Sequence, residues 1–381
     1  MRPVLTFPRF APRDSQAAVR GVTPLELMFD LAAVVAIGAA AGQLSEGFAS
    51  GEIGAALTGF LCSFFMIWWA WMNYTWFASA YDDGSAAFRV LTMVLMFGAL
   101  MLAAGVGNVF ARAPIWLALA GFVLMRMVLV VFWRGAARGD PGRRASALRY
   151  AGGITVAQAY WIALFAAVPP QAPAYLPLFA AGAALELAVP AIAERKGATA
   201  WHRAHIVARY GRLTLIVLGQ CFIAIVAALQ AVADTGDAGR LWHAVLFALI
   251  AFALWSLYFA DEAHLGETRL NRALQWGYGH VAVFAAAALV GSGMRVIVDT
   301  DGPTGAATLL IALSAAAFSA SLWMIRDAAC LRGGARLILP VSAALLIAGY
   351  WGPVPALEWI AAILVLTAMA RRLASQRPAT G

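Results

Sequence analysis

Charge is what this chain has least of. Only 12% of its 381 residues are Asp, Glu, Lys or Arg, about half the roughly 25% of an ordinary soluble domain, while 63% are hydrophobic. A soluble protein of this length could not hide that much apolar surface. Cysteine is scarce too. Cys62, Cys221 and Cys330 match no metal or redox spacing, and three thiols form no even disulfide framework. They read as small apolar fillers. The chain also lacks a phosphate-binding loop, a nucleophile elbow, a zinc-protease motif, a paired CxxC and a dinucleotide fingerprint. The longest soluble segment lies at 194–212, which leaves no room for a cytoplasmic catalytic or ATP-hydrolysing domain. No cofactor is expected. No cleavable signal peptide is evident, because the first apolar run continues too long for one.

What the chain does have is twelve long apolar runs, at 24–44, 53–79, 88–110, 114–133, 149–168, 174–193, 212–233, 241–260, 274–298, 304–325, 335–351 and 355–370. A hydrocarbon core about 30 Å thick needs about 20 helical residues. Lipid offers no partner to backbone polar groups, so each run must close its own hydrogen bonds as a helix. The expected fold class is therefore all-α, a polytopic integral membrane helical bundle of about 12 transmembrane helices.

Basic residues then set the orientation. Alternate connections carry 23 and 3 of the Lys and Arg residues, with Arg126 left inside a span. Basic loops stay in the cytoplasm, so both termini are expected there. The net charge of +8 reads as attraction to anionic lipid headgroups at cytoplasmic Arg clusters, not as a nucleic-acid site. The expected organisation is a cytoplasmic arm at 1–21, a first six-helix half at 22–194, a basic cytoplasmic connection at 195–211, a second six-helix half at 212–371 and a cytoplasmic tail at 372–381. A homo-oligomer stays open.

The halves share a pattern. The second run ends Trp68-Trp69-Ala70-Trp71, Tyr74-Thr75-Trp76-Phe77 and Tyr81-Asp82-Asp83, with Arg89 beyond. The eighth ends Leu254-Trp255-Ser256-Leu257-Tyr258-Phe259 and Asp261-Glu262, with Arg269 and Arg272 beyond. Both are aromatic helix ends followed by an acidic pair and a basic residue. Six spans is an even offset, so a 6+6 parallel internal repeat is expected, its axis along the membrane normal.

Ionisable residues inside spans cost on the order of 2.5–3.5 kcal/mol each by insertion scales, and this makes the exceptions informative. Glu26 and Asp30 lie four apart on one helix face. Glu26 also suits a capping box with Thr23 just before Pro24. Arg126, in mid-span, needs a carboxylate, and Asp30 and Glu186 are the candidates. Glu186 lies four residues before Pro190, which frees a backbone carbonyl. Gln220, Tyr278 and His280 come from the second half. Imidazoles titrate near neutrality, which suits a proton relay at His280; a histidine bonded to a neighbouring helix is the competing reading. The candidate polar centre is thus Glu26, Asp30, Arg126, Glu186, Gln220, Tyr278 and His280, with cytoplasmic acidic helix ends at Asp82, Asp83, Asp261 and Glu262. A structural ion pair competes with a transport site for Arg126. Asn73 and Asn108 are read as glue between helices, and Gly38/Gly42 and Gly98/Leu102/Gly105 as close helix packing. His202 and His205 stand three apart in a basic loop with no further ligand beside them, so no metal is expected.

Several stretches resemble the bacterial low temperature requirement A (LtrA) family: Val22-Thr23-Pro24-Leu25-Glu26-Leu27-Met28-Phe29-Asp30-Leu31, then Trp69-Ala70-Trp71 with Asp82-Asp83, His205-Ile206-Val207-Ala208-Arg209-Tyr210-Gly211, Leu218-Gly219-Gln220, Asp261-Glu262-Ala263-His264 and Trp276-Gly277-Tyr278-Gly279-His280. The resemblance implies a multi-pass protein of the bacterial inner membrane, linked by name to growth in the cold. It also implies glutamates where this chain has Ala208 and Gln220, so one charge that could carry a proton or bind a cation is missing here. Three functions compete. A secondary transporter or permease for a small solute or ion fits twelve spans and buried charge. A membrane-embedded enzyme acting on lipid would use Asp261, Glu262 and His264. A non-catalytic sensor or scaffold would respond to membrane state.

Overall fold

The computed structural model describes residues 7–14, 21–260, 265 and 270–376. The acidic end expected at Asp261 and Glu262, with His264, lies outside the described residues. Among those described there are twelve long helices and no strand: α1 (Pro24–Ala49), α2 (Ile53–Tyr81), α3 (Ala86–Phe110), α4 (Trp116–Gly139), α5 (Pro141–Ala167), α6 (Tyr175–Ala193), α7 (Arg203–Thr235), α8 (Ala238–Tyr258), α9 (Leu270–Asp299), α10 (Gly305–Cys330), α11 (Gly333–Trp351) and α12 (Ala356–Gln376).

Eleven of them, α1 to α11, are long and apolar enough to cross a bilayer. The run expected at 355–370 is helical as α12, but Glu358, Arg371 and Arg372 punctuate it, and it falls outside that set. A larger difference is at α7. It begins at Arg203, inside the basic connection expected over 195–211, so His205 and Arg209 sit in its first two turns. The His202 carbonyl accepts the Ile206 N–H at 3.1 Å and the His202 ring Nδ1 accepts the His205 N–H at 3.2 Å. A histidine thereby serves as the helix cap, a position where short polar residues are more usual.

Outward faces are apolar. Phe97, Trp116, Val156, Phe252 and Leu366 are each more than half exposed. In water such faces would be a liability; in lipid they are the natural surface. The interior holds the polar groups. Between α3 and α4 the approach is close: a Cβ on Gly98 would lie 2.7 Å from Met125 Cγ, and one on Gly121 would lie 2.6 Å from the Leu102 nitrogen. Gly98, matched by Gly121 on the facing helix, does what its spacing suggests. Gly42 does not, since a Cβ there would meet nothing within 4 Å.

The chain forms two compact units. The first holds Met1–Ala40 and Thr58–Arg209, the second Ala41–Leu57 and Tyr210–Gly381. At one end of the first unit Arg13 Nη1 donates to the Asp82 carbonyl at 2.5 Å, Tyr81 donates to Asp140 at 3.2 Å, and Arg143 Nε donates to the Ala198 carbonyl at 2.9 Å. At the other end Gln171 donates to the Arg112 carbonyl at 2.7 Å. The arm and the α2–α3, α4–α5 and α6–α7 connections therefore gather at one end, and the α3–α4 and α5–α6 connections at the other. In the second unit, Arg272 Nη2 reaches the Ile325 carbonyl at 2.8 Å and Arg371 Nε reaches Asp327 at 2.8 Å. Arg240 meets Asp301 at 2.9 Å across its opposite end.

Candidate functional site

The start of α1 forms a capping box: the Thr23 N–H donates to Glu26 Oε2 at 2.9 Å and the Glu26 N–H donates to Thr23 Oγ1 at 3.3 Å. Glu26 does more than cap. Its Oε1 is 3.1 Å from His205 Nε2 and 3.1 Å from Arg209 Nη1. One turn on, Asp30 Oδ1 accepts from Arg209 Nη2 at 2.6 Å and from the Trp71 indole at 2.7 Å. Each helix contributes an i, i+4 pair, which places both members on one face. Glu26 and Asp30 on α1 meet His205 and Arg209 on α7, and all four are fully buried. The Arg209 guanidinium also lies 5.9 Å from the ring centre of Trp71 and 6.0 Å from that of Tyr74, a cation–π arrangement.

A second ionic cluster lies in the same unit. Arg126 Nη2 donates to Glu186 Oε2 at 2.6 Å. Glu186 also accepts from the Trp69 indole at 2.9 Å, from Gln158 Nε2 at 3.0 Å and from the Trp161 indole at 3.3 Å. Of the two carboxylates that sequence offers to Arg126, Glu186 is thus the partner, and Asp30 belongs to Arg209. Arg126, Glu186 and Gln158 are buried. Arg126 Nε and Nη1 and Gln158 Oε1 have no hydrogen-bond partner among the described residues. Helix α2 stands between the clusters: Trp69 and Trp71, about 200° apart round the helix, donate to Glu186 and Asp30 respectively.

Gln220, Tyr278 and His280 belong to the second unit. His280 is buried. Its Nδ1 lies 2.7 Å from the Trp276 carbonyl, and its Nε2 lies 3.2 Å from the Tyr258 hydroxyl. A carbonyl only accepts, so Nδ1 donates there, and in the neutral ring Nε2 is left to accept from Tyr258. The rings of Trp276, Tyr210 and Phe284 surround it at 4.2, 4.9 and 5.7 Å. Gln220 is half-buried and backs onto Gly291, where an added Cβ would lie 2.7 Å from its own. Tyr278 is half-buried on α9.

Three further expectations resolve locally. Asp82 and Asp83 shape the α2–α3 turn, Asp82 Oδ1 accepting from the Gly84 N–H and Asp83 Oδ1 from the Ser85 N–H, each at 3.0 Å. Among the described residues, Asn73 and Asn108 bond locally rather than between distant spans. Asn73 donates to the Trp69 carbonyl of its own helix at 2.8 Å, and Asn108 to the Pro114 carbonyl across the α3–α4 turn at 3.0 Å; a short amide finds the nearest open carbonyl first. Sequence reasoning missed a third cluster. In the π-helical turn Trp323–Asp327, Asp327 Oδ1 accepts from Arg326 Nε at 2.5 Å and Oδ2 from Arg371 Nε at 2.8 Å, all three residues being buried. Between α6 and α7, Glu194 Oε1 accepts from Tyr150 at 2.9 Å and Thr199 at 2.7 Å. Burial nonetheless pushes the Glu194 carboxyl above its usual range.

In comparison with known proteins, the family described as bacterial low temperature requirement A protein (LtrA) matches residues 21–371. No curated protein and no solved structure matches the chain.

Proposed function

Because the chain belongs to the bacterial low temperature requirement A family, we propose that it is a secondary transporter or permease for a small solute or ion, working in the bacterial inner membrane with both termini in the cytoplasm. One observation carries the reading: two fully buried ionic clusters, Glu26–Asp30–His205–Arg209 and Arg126–Glu186, sit on membrane-length helices. Charge inside a span is expensive and marks substrate or ion pathways. The shared tryptophan helix supports it further, because a shift of α2 alters a donor to each cluster at once. A 6+6 parallel repeat, its halves at 22–194 and 212–371, supplies the kind of scaffold on which such pathways are built. The gathering of basic connections at one end of each unit supports the cytoplasmic placement.

The test is flux. The purified chain is reconstituted into liposomes, and uptake of a panel of small solutes and ions is measured with and without a pH gradient. Asp30→Asn and Glu186→Gln are expected to cut flux at least tenfold while the helical circular dichroism stays intact. Undiminished flux in both folded variants rejects the roles given to these residues; no flux in the parent protein for any solute rejects transport.

A further inference from the structure

We infer that the Arg126–Gln158 corner of the first unit binds a small uncharged solute that carries both a hydrogen-bond acceptor and a donor, such as a primary amide or a polyol. The argument begins with what is left unpaired. Arg126 brings five N–H donors, and the contact to Glu186 uses Nη2 only. Among the described residues its Nε–H and both Nη1 hydrogens have no partner, and neither has Gln158 Oε1. Arg126 has no exposed surface and Gln158 is 2% exposed, so water outside the protein cannot serve them. Buried donors and acceptors without partners are costly enough that native structures seldom keep them. These orphaned groups are close together, because Arg126 and Gln158 each lie one hydrogen bond from the same Glu186 carboxylate.

Charge decides the class. Arg126 and Glu186 cancel, and the Glu186 oxygens already accept four donors. An anion would add a net negative charge to a balanced site, and a cation would face three N–H donors. A neutral molecule can accept from Arg126 and donate to Gln158 at no electrostatic cost. Phe122, whose ring centre is 6.0 Å from the guanidinium, and Trp161 supply the apolar flank. The inference names the solute class for the transport reading but stands on binding alone, so the two can fail separately.

The experiment uses radiolabelled acetamide, with acetate as its isosteric anion, in equilibrium dialysis against the full chain in lipid nanodiscs. Saturable binding of one acetamide per chain is expected, with acetate competing at least tenfold less well. Gln158→Met keeps the ion pair but removes both the acceptor and the amide donor to Glu186, and is expected to weaken acetamide binding at least tenfold while the helical circular dichroism stays intact. Absence of saturable acetamide binding, preference for acetate, or undiminished binding by a folded Gln158→Met variant each overturns the inference. Binding without flux in liposomes leaves this site intact and removes the transport reading; flux without acetamide binding does the reverse.

Discussion

Arg209 holds two carboxylates in a place water does not reach, at 3.1 Å from Glu26 and 2.6 Å from Asp30. A buried ion pair contributes little net stability, yet removing one partner costs about 3–5 kcal/mol because the other charge is stranded. Arg209→Met is therefore expected to destabilise the chain by about that amount. Asp30→Asn combined with Arg209→Met should cost less than the sum of the single changes. Thermal unfolding in detergent, followed by circular dichroism, reads both. Glu194 makes a pH prediction of opposite character. Its fold favours the neutral carboxyl, since burial raises its titration above the usual carboxylate value. Its contribution is full below that value and is lost as pH rises through the higher value held in the fold. Glu194→Gln, neutral throughout, should flatten the fall of the unfolding midpoint on the alkaline side. An unchanged profile would assign the slope to other groups. Four of the six ionisable residues in the Arg209 and Arg126 clusters are legible in sequence. Glu26, Asp30, Arg126 and Glu186 announce themselves because each interrupts an apolar run. His205 and Arg209 hide among basic neighbours, where a loop charge looks the same as a buried one. The readable signal was spacing: 205 and 209 repeat the four-residue interval of 26 and 30.

At the scale of elements, the spans were legible because lipid enforces length and apolarity on every helix alike. Their ends were less so. Helix α7 reaches back to Arg203 because ionic partners on α1 make the basic turn worth burying, and hydropathy does not register partners. Asp327 escaped notice for the same reason, lying at a helix end between arginines that read as loop residues. Packing between α3 and α4 was foreseen at Gly98, yet Gly121 on the facing helix matters as much. Its missing Cβ would sit 2.6 Å from the Leu102 nitrogen, and a backbone atom cannot turn aside as a side chain can. Gly121→Ala should force the helices apart and cost about 1–3 kcal/mol, the range for overpacking. Gly42→Ala, with no atom of the described residues within 4 Å, should instead gain up to about 1 kcal/mol from helix propensity. The same unfolding measurement on the pair isolates the effect of the close approach from that of helix propensity.

For the whole molecule, each unit collects its basic connections at one end, through Arg13 and Arg143 in the first and Arg272 and Arg371 in the second. Topogenic charge is written in the loops themselves and can be read from sequence, whereas the discontinuous make-up of the units cannot. The first runs to Ala40, resumes at Thr58 and ends at Arg209, so α1, α2 and α7 each contribute to both. Continuous helices of this kind are natural in lipid, where a span broken at a unit boundary would expose backbone groups without partners. The alternation makes a directional prediction. In a chain with Cys62, Cys221 and Cys330 replaced by alanine, Gln171→Cys on the α5–α6 turn should react with a membrane-impermeant maleimide in intact cells. Arg332→Cys, between α10 and α11, should react only once the membrane is opened. Both positions are exposed, so access to solvent does not separate them; only the side of the bilayer does. Labelling of Arg332→Cys in intact cells, with Gln171→Cys silent, would invert the orientation and move the arginine clusters to the outer face, where anionic headgroups no longer hold them.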